Sequence, residues 1–168
     1  DCLAGQFEET TSTGKKICLG CSPGNYTDSS NLKFCKRCPK GYVQSLPEQT
    51  SCVPCVKGEY NDVTSAATCK LCKKDTYSMD KNRTIECISC ATGRFAVNGS
   101  ASCTDCLAGQ FEETTSTGKK ICSDCSLGNY TDASNMPVCK RCPRGYAQSS
   151  PKQTSCVECS PGEFNDVA

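Results

Sequence analysis

The chain has 168 residues and a net charge of +1, with no His and no Trp. Leu, Ile, Val and Phe make up roughly 14% of it, below the level of about 20% that a globular core needs. Those totals exclude a fold held mainly by hydrophobic burial, and the mixing of both charge signs leaves no basic stripe for nucleic acid.

Cysteine fills the gap. The chain holds 19 Cys, above the roughly 8–10% that marks a disulfide scaffold. Such usage belongs to an oxidising setting, so a secreted or cell-surface location is expected. No apolar run approaches the ~18 residues of a membrane span. Asp1 falls in mid-pattern and Ala168 falls partway through a unit, so the chain is expected to be a window on a longer protein.

Along the chain, C-x-x-C pairs recur about every 17 residues. Units open at Cys2 (CLAGQF), Cys21 (CSPGNY), Cys38 (CPKGYV), Cys55 (CVKGEY), Cys72 (CKKDTY), Cys90 (CATGRF), Cys106 (CLAGQF), Cys125 (CSLGNY), Cys142 (CPRGYA) and Cys159 (CSPGEF). Gly stands three residues after the Cys, where a sharp turn at positive φ is expected because a β-carbon would clash. Asp75 takes that position in the fifth unit, and Asp tolerates the region better than most residues. The aromatic two residues later is expected to lie over a disulfide or the next unit. Tyr42 and Tyr146 come one position early, so different packing is expected there. The remainder is rich in Ser, Thr, Asn, Asp and Gly without helical periodicity. Two short strands per unit joined by a turn are expected. The stretch EETTSTGKK (Glu8–Lys16, Glu112–Lys120) is expected to be a polar loop or hairpin tip.

A longer period overlies the short one. Residues 1–64 align without a gap on 105–168, and 16 of the 64 positions differ. The first 18 residues, DCLAGQFEETTSTGKKIC, recur letter for letter at Asp105–Cys122. The chain is therefore read as one block of six units (1–104) followed by most of a second (105–168). Such identity points to recent duplication of a whole block.

The Cys spacing is also near that of a four-cysteine zinc site. The lack of His and the position of the Gly, three residues after the second Cys of each pair rather than next to it, weigh against zinc. No cofactor is expected. Two disulfide schemes remain. In a sequential scheme each unit closes its own loop: Cys2–Cys18, Cys21–Cys35, Cys38–Cys52, Cys55–Cys69, Cys72–Cys87, Cys90–Cys103, Cys106–Cys122, Cys125–Cys139 and Cys142–Cys156, with Cys159 bonded beyond the chain end. An interlaced scheme (Cys18–Cys35 with Cys21–Cys38, and so on) strands Cys2, Cys156 and Cys159. Parity favours the sequential one.

The pattern C-x-x-G-x-[FY]…C-x-x-C-P-x-G resembles the ephrin-receptor-like cysteine-rich repeat, over essentially the whole chain. One unit also resembles the small first module of the tumour necrosis factor receptor cysteine-rich domain, which the sequential scheme would match. The resemblance implies an elongated, extracellular, disulfide-laddered array of small β-hairpin modules without helix. Such repeats occur in receptor ectodomains, protist surface antigens and large matrix proteins.

N-x-[ST] sequons at Asn25, Asn82, Asn98 and Asn129 are candidate N-glycosylation sites, and the Thr/Ser runs Thr10–Thr13 and Thr114–Thr117 candidate O-glycan sites. Asn61-Asp62 and Asn165-Asp166 form no dense calcium loop. Nothing in the sequence has the arrangement of a catalytic site, so no enzyme is expected. The reading is a glycosylated structural rod, filament or matrix component whose partners are copies of itself or further repeats. The alternatives are a protist-type surface antigen and a receptor or adhesion ectodomain that binds a protein. No exposed aromatic or Arg cluster singles out one unit as a ligand site.

Overall fold

The computed structural model describes residues 1–164. Among them there is no helix, and eighteen strands form nine separate two-stranded sheets. The chain is a series of disulfide-closed β-hairpin modules. Most strands have only two residues, as in Asn25–Tyr26 paired with Lys36–Arg37. Two hairpins are longer: Gln6–Thr10 pairs with Lys16–Gly20, and Gln110–Thr114 with Lys120–Asp124, in the same register. The polar stretch Glu8–Lys16 thus supplies the inner ends of both strands and the turn between them.

Nine disulfides join Cys2–Cys18, Cys21–Cys35, Cys38–Cys52, Cys55–Cys69, Cys72–Cys87, Cys90–Cys103, Cys106–Cys122, Cys125–Cys139 and Cys142–Cys156. Each spans 13 to 16 residues. A loop of that size is stabilised by about 3 kcal/mol through restriction of the unfolded chain. Cys159 is unpaired among the described residues.

The interior is mostly sulfur and polar atoms. The Cys that opens each module is buried from Cys2 through Cys142, except Cys90, which is half-buried. Beside this series lies the residue six positions after that Cys: Thr27, Gln44, Asn61, Ser78, Ala96 and Thr131, all buried. The aromatics are less enclosed than expected. Tyr60 is buried, whereas Phe7, Tyr26, Tyr77, Phe95 and Tyr130 are half-buried. A two-residue strand is too short to form a face that covers a ring.

The modules gather into two compact units. The first comprises Asp1–Ile88 with Asn98–Ser102; the second comprises Ser89–Val97 and the chain from Cys103. The division between them falls within the sixth module. The loop of that module bonds back to the fifth (Gly99 N–H to Cys72 carbonyl, 2.8 Å), and its glycine turn bonds forward to the seventh.

Candidate functional site

The recurring site of this protein is the joint between consecutive modules. The first joint shows the arrangement. The Gly5 amide donates to the Thr27 carbonyl at 3.0 Å and to its hydroxyl at 2.6 Å. The Thr27 amide passes on to the Gln49 carbonyl of the third module at 3.2 Å. The Cys21 amide returns to the Gly5 carbonyl at 2.9 Å, and the Asn31 amide to the Cys2 carbonyl at 3.0 Å. Hydrogen bonds thus run in both directions across the joint. They satisfy backbone groups that two-residue strands leave unpaired.

Within each unit the same bonds recur. The turn glycines Gly24, Gly41 and Gly58 donate to the carbonyls of Gln44, Asn61 and Ser78; Gly109 and Gly128 donate to those of Thr131 and Gln148. A second series runs through residues at positive φ: Asn31, Glu48, Ser65, Asn82 and Gly99, then Asn135 and Lys152. Each donates its amide to the carbonyl of the Cys that opens the preceding module.

These residues also explain the glycines. With Gly5 at φ +87°, a β-carbon there would lie 2.2 Å from the Glu48 carbonyl oxygen, two modules on. Gly24, Gly41 and Gly58 meet Ser65, Asn82 and Gly99 in the same way, as do Gly93 with Asn135 and Gly109 with Lys152. Asp75 is the departure. It adopts φ 61°, a conformation that Asp tolerates better than most residues.

The joint between the sixth and seventh modules differs in one group. Here the Gly93 amide donates to the Glu112 carboxylate, at 2.7 Å to Oε2, while Lys120 binds Oε1 at 2.7 Å. The Lys120 ammonium, and after it the amides of Gly93 and Arg94, hold the Glu112 carboxyl below the usual carboxylate range against the opposing effect of burial. The Arg94 guanidinium pairs with the Asp105 carboxylate on the opposite strand of the sixth module's own hairpin.

Outside the joints, the Lys36–Asp28, Lys70–Asp62 and Lys140–Asp132 ion pairs close three hairpins at 2.7 to 2.8 Å. All are solvent-exposed and contribute little to stability. Cys55, Glu59 and Cys69 bring potential ligand atoms within 4.8 Å of one another, but the two sulfurs are bonded to each other and do not form a thiolate pair.

The sequons occupy different environments. Asn98 is exposed. Asn25 and Asn129 are half-buried, and the Thr of each sequon, Thr27 or Thr131, is fully buried in a joint. The Asn82 amide donates to the Tyr42 hydroxyl at 3.0 Å, and its Oδ1 is buried without a partner. Thr10, Ser12 and Thr13 are exposed at the hairpin tip, as are Thr114, Ser116 and Thr117. The Thr11 hydroxyl bonds to Thr13 and Lys15.

Sequence reasoning missed the burial of the residue six positions after the opening Cys in six of the modules, the left-handed series 17 residues apart, and the role of Glu112. The polar residues at a constant offset were visible as Thr27, Asn61 and Thr131, but polarity ordinarily reads as exposure.

No protein-family model matches this chain, and no curated protein matches it. Cysteine-rich, repeated, disulfide-closed modules fit an extracellular or secreted repeat protein. Among the described residues, no helix is long and apolar enough to cross a membrane.

Proposed function

We propose that this chain is a segment of a glycosylated extracellular array, of the kind it resembles among ephrin-receptor-like repeats, and that it acts as a structural rod or filament component. The observation that carries this reading is the recurrence of one joint. Backbone groups make nearly all of it, so it depends little on side-chain identity, and a copied module brings its joints with it. An array built this way lengthens without redesign. Glycans on Asn25, Asn82, Asn98 and Asn129 belong to this reading, as does the absence of catalytic chemistry. Electron microscopy of native material, with and without reductant, tests it. The expected result is long fibres with an axial repeat that disappear on reduction. Isolated molecules on membrane fragments would overturn it.

A second reading, a surface antigen, has an observation of its own. Of the 16 positions that differ between the blocks, 13 are exposed in the first block. Leu19, Phe34 and Leu46 of the first block become Ser123, Val138 and Ser150 in the second. Variation at exposed positions over unchanged joints suits display to antibodies. A population of sequences from one source, with changes concentrated at these exposed positions, would favour it over the filament.

A further inference from the structure

One groove of the first block exposes apolar side chains. Phe7, Leu19, Ser22 and Phe34 line it, and it measures about 550 Å³, within the range of small-ligand sites. Phe7 and Leu19 come from the first hairpin and Phe34 from the loop of the second module, where its ring is 73% exposed. The groove recurs in the second block, lined at the same positions by Phe111, Ser123, Ser126 and Val138. There the turn of the sixth module is bonded to Glu112 on the same hairpin, so a preceding module leaves the groove open.

A sequon stands at the wall of both grooves. Asn129 lines the second one directly. Its Nδ2 donates to Ser126 Oγ at 3.1 Å, and Asn25 Nδ2 donates to Ser22 Oγ at 3.2 Å. In the first block the other end of the amide is held as well, because Asn25 Oδ1 accepts from the Ser65 hydroxyl at 2.7 Å. An N-linked sugar is joined to Nδ2, which keeps one N–H for the bond to Ser22. A sugar on Asn25 therefore starts at the groove wall, from an amide fixed at both ends. Thr27 is buried in the joint, so the sugar is attached before the joint closes and the groove receives it on folding.

The lining suits that occupant. N-acetylglucosamine, the first residue of an N-linked chain, presents C–H groups on its ring faces and a methyl on its acetamide. An aromatic ring is negative on its face, which attracts such C–H groups, and covering them removes apolar area from water. The second block lacks this chemistry. Leu19, Gly20 and Phe34 are replaced there by Ser123, Asp124 and Val138, and the groove measures about 320 Å³.

We propose that the Phe7–Leu19–Phe34 groove seats the first N-acetylglucosamine of a glycan on Asn25, with a C–H face of the sugar against the Phe34 ring, and that a glycan on Asn129 has no such seat. The seated sugar bridges the first two modules. The proposal rests on the glycosylated reading above.

The test is the full chain, secreted from a cell that adds N-glycans, beside a Leu19→Ser, Phe34→Val variant. Both substitutions bring in residues that the second block carries over the same joint bonds. Release of the Asn25 glycan from the folded chain by an N-glycan amidase is followed by mass spectrometry. The parent is expected to release it about fourfold or more slowly than the variant, the effect of burying roughly one CH₂ group. The acetamide methyl of that sugar should also resonate upfield of its position in the variant, shifted by the Phe34 ring. Equal release and an unshifted methyl on a glycosylated Asn25 would overturn the seat and leave the glycosylated reading standing. Sequons that all lack sugar would overturn both. Self-association of the glycosylated parent in sedimentation, abolished in the variant, would assign the groove to a second copy instead.

Discussion

Thr27 holds Gly5 from two sides, with its carbonyl at 3.0 Å and its hydroxyl at 2.6 Å from the same amide. The hydroxyl also lies 3.3 Å from the Gln6 carbonyl, to which it donates. Thr131 and Gly109 repeat the arrangement at 3.0 and 2.7 Å. Thr27→Val keeps the shape and removes the hydroxyl, so the first joint is expected to weaken by about 1–3 kcal/mol. Thr27→Ser keeps both the hydroxyl and the sequon and serves as the control. Amide exchange at Gly5 reads the effect locally, which matters in an array that does not unfold in one step. Equal exchange in the two variants would remove the hydroxyl from the account.

Gly5 and Gly14 separate backbone strain from collision. Both have positive φ, 87° and 79°. A β-carbon at Gly5 would meet the Glu48 backbone at 2.2 Å, while one at Gly14, at the hairpin tip, would meet nothing within 4 Å. Gly14→Ala is expected to cost about 1–2 kcal/mol for the left-handed conformation alone. Gly5→Ala is expected to cost about 1–3 kcal/mol more, because the third module must shift. Denaturant melts of the two variants give the difference, and similar losses would show that the close approach does not matter.

The block joint is expected to be acid-sensitive while the joints made by carbonyls are not. The Glu112 carboxyl is held below its ordinary value of 4.5, first by Lys120 and also by the Gly93 and Arg94 amides. A group whose pKa is lower folded than unfolded stabilises fully above the unfolded value. That contribution is lost as pH falls through the folded value. The charged groups around it are Lys120 on its own hairpin and the Arg94–Asp105 pair on the facing module. Corrected for intrinsic rates, protection of the Gly93 amide should hold at neutral pH and fall below pH 4.5, with Gly109, bonded to a carbonyl, as the reference. Glu112→Gln should flatten the dependence; an unchanged profile would assign it to another group.

Each disulfide closes its own module, so removal of one should act locally. Replacing both Cys55 and Cys69 with Ala opens a loop of 14 residues and is expected to cost about 3 kcal/mol. Limited proteolysis should cut first within 55–69. Non-reducing peptide mapping of the parent chain should find Cys55 linked to Cys69. A Cys52–Cys69 linkage would instead mean interlaced modules.

Glycan occupancy should follow exposure of the acceptor. Asn98 is exposed. The Asn82 nitrogen donates to Tyr42, and the adjacent Oδ1 is buried, so a sugar there would disturb packing between modules. Mass spectrometry of glycopeptides from the native source should show greater occupancy at Asn98 than at Asn82; the reverse order would mean that sugar is added without regard to the folded joint.

Much of the module was legible in the sequence because its determinants are local. The Gly turns at positive φ, the tolerance for Asp75, the short strands and the absence of helix all follow from residues within one 17-residue unit. Low apolar content together with 19 Cys determines a chain of small disulfide-closed hairpins, since nothing else could stabilise so polar a chain. The joints follow from contacts between units. The Glu48 carbonyl excludes a β-carbon at Gly5, 43 positions earlier, and no local pattern encodes that distance. Thr27 and Asn61 read as surface residues, yet they are buried, because in a core this small each joint needs an acceptor more than it needs apolar area. Glu112 reads as one acid in a polar loop. Only the packed chain turns its carboxylate toward Gly93.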